Sequence, residues 1–316
     1  MVRIIRERFS SYFLLLTSAL FPFLLFPLQR PARLDLMSNL ISAEALHAML
    51  GEPELRVIDT RFDLKDPAAG LEAYKRGHIP GALYLDLDLD LSSSPVEHGG
   101  RHPLPNMTEL SGKLGSLGVS NSSQIVVYDD HAGVFAGRLW WLLRYAGHDA
   151  VRVLDGGLSA WTDAGFDTTD VMPEYEAGVF TAELRPDMVV DAQHVARNLD
   201  NPNVLLLDAR SEERYRGETE PMDPKAGHIP GAINLPYTEN LQGKTFKSPD
   251  ALKERFEDLE LSQAEEVVVY CGSGVSAAHD LIALEEAGVK NAKLYVGSWS
   301  DWSSYPDNPV ATGEGS

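Results

Sequence analysis

Six residues, Gly77-His78-Ile79-Pro80-Gly81-Ala82, recur without change at positions 227–232, and that recurrence constrains the fold more than any other feature of the chain. Three further landmarks repeat in the same order. Val57-Ile58-Asp59-Thr60-Arg61 answers to Leu206-Leu207-Asp208-Ala209-Arg210, and Ile125-Val126-Val127-Tyr128-Asp129 to Val267-Val268-Val269-Tyr270-Cys271. Val153-Leu154-Asp155-Gly156-Gly157 with Trp161 answers to Leu294-Tyr295-Val296-Gly297 with Trp302. Four landmarks in a fixed order mark a tandem duplication of a unit of about 120–130 residues, an ordinary domain size. Differences between the copies then become informative.

Each copy alternates short apolar runs with amphipathic stretches. In the first, residues 56–59, 82–85, 125–128 and 151–154 read as buried strands, and residues 107–117 and 136–145 as helices. Strand–helix alternation implies an α/β fold, here two tandem domains, each a parallel sheet flanked by helices. Ligands of such sheets bind where strand carboxyl ends turn into helix N-termini. The expected organisation is an N-terminal apolar segment at 1–36, a first domain at 37–165, a linker at 166–188 without apolar period, and a second domain at 189–316. Arginines flank an apolar run at 12–28, which reads as a signal or short anchor. Glu7, Pro22 and Pro27 interrupt that pattern, and Met37 precedes a segment that reads as a capped opening helix. Translation from Met1 and from Met37 are both open. The working compartment is expected to be the cytoplasm, with export or membrane anchoring as the alternative if 1–36 is used.

Composition removes several classes of function. A net charge of -20 repels nucleic acid and anionic lipid. Nothing resembles a Cys/His metal cluster, and no metal or organic cofactor is expected. A lone cysteine, Cys271, is by default a small buried hydrophobe. Its context argues otherwise. It ends an apolar strand, is followed by Gly272, Ser273 and Gly274, and a helix opens at Val275 and Ser276. Such a turn points backbone N–H groups inward, and the helix N-terminus adds partial positive charge, both of which stabilise a thiolate. The first copy carries Asp129 at the same point, so one half reads as catalytic and the other as structural, with a site between them. Asp129 itself is open to two readings, an acid or base and a cap on the next helix.

With these motifs the chain resembles the rhodanese superfamily in its tandem two-domain form. The resemblance rests on the paired Asp-x-Arg and Gly-His-Ile-Pro-Gly-Ala elements and the Cys-Gly-Ser-Gly-Val-Ser-Ala loop, and it covers about 280 residues from Met37 onward. The loop is similar to that of 3-mercaptopyruvate sulfurtransferases, since thiosulfate-type loops place a basic residue after the cysteine. The resemblance implies that Cys271 takes sulfur from a small anionic donor, 3-mercaptopyruvate or alternatively thiosulfate. A thiol, thioredoxin-like or of low molecular weight, or cyanide then removes it in a ping-pong cycle. The protein is expected to work as a monomer. By the same resemblance Ser273, His78 and Asp66 assist proton transfer, and Arg214 holds the substrate carboxylate. Gly272, Gly274, Val275 and Ser276 of the loop complete the expected substrate-binding set. For His78 a turn-setting role stands as the alternative, because the segment occurs in both copies. The family's second arginine, shortly before the second Gly-His-Ile-Pro, is missing here; Lys225 is the available point charge.

A related phosphatase needs an arginine six residues after the cysteine, where this chain has Ala277. A non-catalytic binding or regulatory module is the remaining alternative. Trp140, Trp141, Trp299 and Trp302 read as packing, and His102 as a loop anchor in preference to a residue lining the site.

Overall fold

The structure is a computed structural model and describes residues 38–314 apart from 260 and 262. The run at 12–28 and the choice between Met1 and Met37 lie outside the described residues. The described residues form one compact unit. Among them, no helix is long and apolar enough to cross a membrane.

The first repeat contains strands β1 (Leu40–Ile41), β2 (Leu55–Asp59), β3 (Ala82–Tyr84), β4 (Gln124–Tyr128) and β5 (Val151–Leu154). Its helices are α1 (Ala43–Met49), α2 (Ala69–Arg76), α3 (Met107–Ser116), α4 (Val134–Tyr145) and α5 (Gly157–Asp163). The strands pair in parallel in the order β1-β5-β4-β2-β3. The second repeat contains β6 (Val189–Val190), β7 (Val204–Asp208), β8 (Ile233–Asn234), a hairpin of β9 (Leu241–Gln242) and β10 (Thr245–Phe246), β11 (Glu266–Tyr270) and β12 (Ala292–Tyr295). Its helices are α6 (Ala192–Arg197), α7 (Glu212–Tyr215), α8 (Pro249–Phe256), α9 (Ser276–Glu286) and α10 (Ser298–Trp302). The order β6-β12-β11-β7-β8 repeats the first sheet strand for strand. The hairpin has no counterpart in the first sheet, and its Phe246 N–H donates to Asp155 Oδ1 across the repeats at 2.8 Å. The opening helix is capped by Ser42, whose hydroxyl accepts the Ala45 N–H. Ser38 instead donates to Glu286 of α9 at 3.0 Å.

The repeated motifs have mechanical roles that explain their recurrence. Asp59 and Arg61 form a buried bidentate pair at the end of β2, and Arg61 also donates to the Gly77 carbonyl at 2.7 Å. Asp208, Arg210 and the Gly227 carbonyl do the same in the second repeat, at 2.8 Å. Each ion pair therefore fastens a strand end to the Gly-His-Ile-Pro turn, satisfying a buried carbonyl as well as two charges.

Helices α4 and α9 bring the two sites of the sheets together. They pack where Gly137 approaches the Ala278–Ile282 stretch so closely that an added methyl would lie 3.3 Å from the His279 nitrogen. The resulting apolar core runs without a break from β4 and α4 to β11 and α9. Leu139, Trp140, Leu142 and Leu143 are fully buried in it, each contributing about 1.5–3 kcal/mol by its removal from water. The two strand-end loops, at Asp129 and at Cys271, consequently face a shared interior. The segment at 166–188 is mostly irregular but packed: Tyr175 donates to the Gly81 carbonyl at 2.9 Å, and Phe180 is buried.

Candidate active site

Cys271 leaves the end of β11 as a free, buried thiol. Its sulfur accepts the Gly274 N–H at 3.1 Å, the bond expected of a loop that curls its amides toward an anion. Gly274 makes this possible with φ +75°. The loop is fixed from behind by α10. Cys271 N–H donates to Ser298 Oγ at 3.1 Å, and the Trp299 and Ser300 N–H groups donate to the carbonyls of Cys271 and Gly272 at 2.9 Å. Ser298 holds φ +55°, a conformation uncommon outside glycine, in order to turn its hydroxyl there.

The first repeat offers an internal comparison. The buried Asp129 carboxylate accepts four backbone N–H groups, from His131, Gly133, Phe135 and Ala136, at 2.8–2.9 Å. Of the two readings left open by the sequence, the cap is the one realised. The same strand-to-helix junction thus closes on a carboxyl group that accepts four N–H bonds in one copy and on a thiol in the other.

The thiol borders a cavity of about 500 Å³ lined by both repeats. Phe62, Asp63, Lys65, Arg101, His131 and Phe135 come from the first; Arg214, Met222, Tyr237, Cys271, Gly272, Ser273, Val275 and Ser276 come from the second. Of the residues anticipated from sequence, Cys271, Ser273, Arg214, Gly272, Val275 and Ser276 meet here, and Gly274 contributes its N–H from behind.

His78 and Asp66 do not belong to this cluster, which corrects the expected assignment. His78 is buried under the Gly-His-Ile-Pro turn, with Nδ1 2.8 Å from the Tyr74 carbonyl and Nε2 3.2 Å from that of Val171, and it stacks on Tyr74. His228 makes the same contact with Tyr215 in the other repeat, at 2.8 Å. A histidine whose Nδ1 meets the same tyrosine carbonyl in the copy with a thiol and the copy without one sets the turn. Asp66 is exposed and caps its own loop through the Ala68 N–H at 3.2 Å. The histidine at Ser273 is His102, whose Nδ1 lies 2.7 Å from Ser273 Oγ across the repeats. Asp88 Oδ1 stands 3.4 Å from His102 Nε2. Burial pulls the His102 pKa down to about 3, helped by the charges of Arg138 and Arg101, so its imidazole is neutral near pH 7. Lys225 does not reach the cavity either: its ammonium donates to the carbonyls of Tyr305 and Pro306 at 2.7 and 3.3 Å.

Arg138, on the buried face of α4, carried no signal in the sequence. Its guanidinium donates to the carbonyls of Gly274, His102, Pro103 and Leu91 at 3.0–3.3 Å, tying the cysteine loop to the His102 loop. It makes no ion pair with a carboxylate among the described residues, and burial pulls its pKa down to about 10, opposed by the negative charge of Cys271. A buried cation without a carboxylate partner among the described residues thus holds the Gly274 carbonyl of the thiol loop against the His102 loop. No group of three or more metal-binding side chains occurs among the described residues.

The site can therefore hold a sulfur anion, move a proton through a hydroxyl–imidazole pair, and bind an anionic group at its arginine-bearing rim. Comparison with known proteins agrees. The model of the rhodanese-like domain matches twice, at residues 42–164 and 191–305. A probable 3-mercaptopyruvate sulfurtransferase of Pseudomonas aeruginosa is 46% identical over 282 residues, covering 88% of this chain and 99% of that protein. A putative thiosulfate sulfurtransferase, SseB of Mycobacterium tuberculosis, is 41% identical, covering 87% and 97%. Among solved structures, the 3-mercaptopyruvate sulfurtransferase SseA of Escherichia coli superposes with a TM-score of 0.72 at 33% identity, covering 83% of this chain and 99% of that one.

Proposed function

The chain belongs to the rhodanese family in its tandem form and is a sulfurtransferase, and from that premise we propose a cycle in which 3-mercaptopyruvate loads sulfur onto Cys271. The observation that carries the reading is the Cys271 sulfur at the base of an inter-repeat cavity, beside Ser273 paired with a neutral His102 and below two arginines.

In the first half-reaction the Cys271 thiolate attacks the donor sulfur. The S–S bond forms, the donor C–S bond breaks, and its electron pair leaves as the enolate of pyruvate. The proton of the donor thiol passes to the enolate carbon through the Ser273 hydroxyl, with His102 Nδ1 accepting and returning it. Reactants and products balance without an external proton: thiolate and donor thiol give an anionic persulfide and pyruvate. The Gly274 N–H and the α9 N-terminus stabilise the persulfide as they do the thiolate. In the second half-reaction an acceptor thiolate or cyanide attacks the outer sulfur and restores the Cys271 thiolate. Arg214 holds the donor carboxylate. Asp88 orients His102 by keeping a proton on Nε2, which leaves Nδ1 as the acceptor.

A thiol of low molecular weight or a thioredoxin-like protein is the proposed acceptor, and the enzyme is proposed to work as a monomer in the cytoplasm, where acceptor thiols stay reduced. Steady-state kinetics with 3-mercaptopyruvate and thiosulfate, on the wild type and on Cys271→Ser, test this reading. The expected result is a higher kcat/KM for 3-mercaptopyruvate and no turnover by the variant. A higher value for thiosulfate overturns the donor, and an active Cys271→Ser protein overturns the mechanism.

A further inference from the structure

Two guanidinium groups converge above the residue that follows the nucleophile. A methyl group placed on Gly272 would sit 3.0 Å from Arg101 Nη2 and 3.3 Å from Arg214 Nη1. These two nitrogens come from different repeats, and neither donates to an oxygen among the described residues; Arg101 Nη2 makes only a long contact with the Met222 sulfur there, at 3.9 Å. Arg101 Nε is also buried without a partner. The remaining donors are engaged. Arg214 binds Glu220 at 2.8 Å and Asp223 at 3.4 Å, and the other oxygen of Asp223 pairs with Arg101 Nη1. A single side-chain carboxylate thus bridges the two arginines, and it is 3% exposed.

Arg101 is held for this purpose by a clasp that the first repeat closes on the second. Its backbone N–H donates to Ser300 Oγ at 3.1 Å, Gly99 N–H donates to Asp301 Oδ1 at 2.7 Å, and His98 Nδ1 lies 2.8 Å from Ser304 Oγ. All three partners lie on or just after α10, the helix whose amides also pin the cysteine loop. The guanidinium is therefore positioned relative to the thiol by one rigid element, which limits the freedom lost when an anion binds.

We propose that Arg101 is the second half of a two-guanidinium clamp that holds the donor's carboxylate over Gly272, and that Asp223 bridges the clamp when no donor is bound. The proposal rests on the sulfurtransferase reading and names the donor's recognition site within it. It also accounts for a chain that has Met222-Asp223-Pro224-Lys225 where an arginine is expected: the second cation arrives from the other repeat, and the local position supplies a competing carboxylate. A clamp of this kind favours a planar carboxylate, which two guanidinium edges can share.

The test compares wild type with Arg101→Gln, Arg101→Lys and Asp223→Asn in steady-state turnover of 3-mercaptopyruvate, with pyruvate as a competitive inhibitor. Loss of one charge-assisted contact is expected to raise KM and the pyruvate inhibition constant about 10- to 100-fold in Arg101→Gln, with kcat within about threefold. Arg101→Lys, which keeps the charge and guards against a folding defect, should fall between the two, since a point charge replaces a fork. Asp223→Asn should lower both constants below the wild-type values. Unchanged constants in Arg101→Gln, or a fall in kcat with KM unchanged, overturn the clamp; raised constants in Asp223→Asn overturn the bridging role. A wild type that transfers no sulfur from 3-mercaptopyruvate and is not inhibited by pyruvate would instead overturn the reading on which the proposal rests.

Discussion

Replacing Gly274 by alanine isolates the contribution of one backbone amide to catalysis. Gly274 has φ +75°, where a side chain costs about 1–2 kcal/mol. The new Cβ would also stand 2.2 Å from the Val296 carbonyl oxygen, too close for any real contact, so the loop must shift by roughly an ångström at a further cost of about 1–3 kcal/mol. Together these predict a loss of about 2–5 kcal/mol in urea unfolding. The same shift stretches the 3.1 Å bond from the Gly274 N–H to the Cys271 sulfur beyond hydrogen-bonding range. Loss of one such donor predicts a fall in kcat on the order of 10²-fold or more. The first repeat supplies the control. Gly133, one residue further along the corresponding turn, has φ +90°, but an added methyl there would meet nothing closer than 3.5 Å. Gly133→Ala should therefore cost only about 1–2 kcal/mol and leave kcat within about threefold of wild type. The reasoning is refuted if Gly274→Ala retains kcat within threefold, or if both variants lose activity equally.

The Ser273–His102 pair predicts a kcat loss on the order of 10²-fold for His102→Ala and about tenfold for Asp88→Asn, which acts only through the imidazole. Because His102 is held near pKa 3, its ring resonances in a 15N NMR titration should not move between pH 5 and 8; a shift centred near pH 6.5 would contradict this. Arg138→Met should destabilise by about 3–5 kcal/mol in urea, since three buried carbonyls and a half-buried one lose a donor, and it should lower kcat by separating the two loops; a loss below about 1 kcal/mol would show that those carbonyls are satisfied without it. Asp280, buried on α9 and accepting from Asn240, has its pKa pushed up to about 8 by burial, so the folded protein holds a proton there that the unfolded chain releases near pH 4. Wild-type stability is then lost as pH rises between those values, and Asp280→Asn should gain relative to wild type from pH 4 to pH 8. A stability difference independent of pH would refute a protonated Asp280.

The division of labour between the copies has a physical basis visible in their two strand-end loops. Both place a negative group where strand and helix meet, because the inward amides and the helix N-terminus need one. In the first copy the Asp129 side chain accepts four N–H bonds and so forms a fixed support. In the second, the thiol accepts one, and the remaining capacity is available to a sulfur chain that grows and shrinks during turnover.

The duplication, the two parallel sheets and the strand-end loop of Cys271 were legible in the sequence because each is written in local signals. Apolar runs with turn residues at their ends fix a strand within a residue or two, and a cysteine followed by two spaced glycines and a helix start fixes its own environment. The partner of the nucleophile's loop was not legible. His102 reaches Ser273 across 171 positions, Arg101 reaches Gly272 across as many, and Arg138 looks like any basic residue of a helix until its carbonyl partners are known. Internal symmetry was the better guide at His78, since its recurrence as His228 spoke for a turn, and both rings hold a tyrosine carbonyl there. A sequence specifies which residues can make a thiolate stable by their own backbone geometry. Which histidine and which arginine stand over it depends on how two copies of one fold dock through α4 and α9, and only that packed interface decides it.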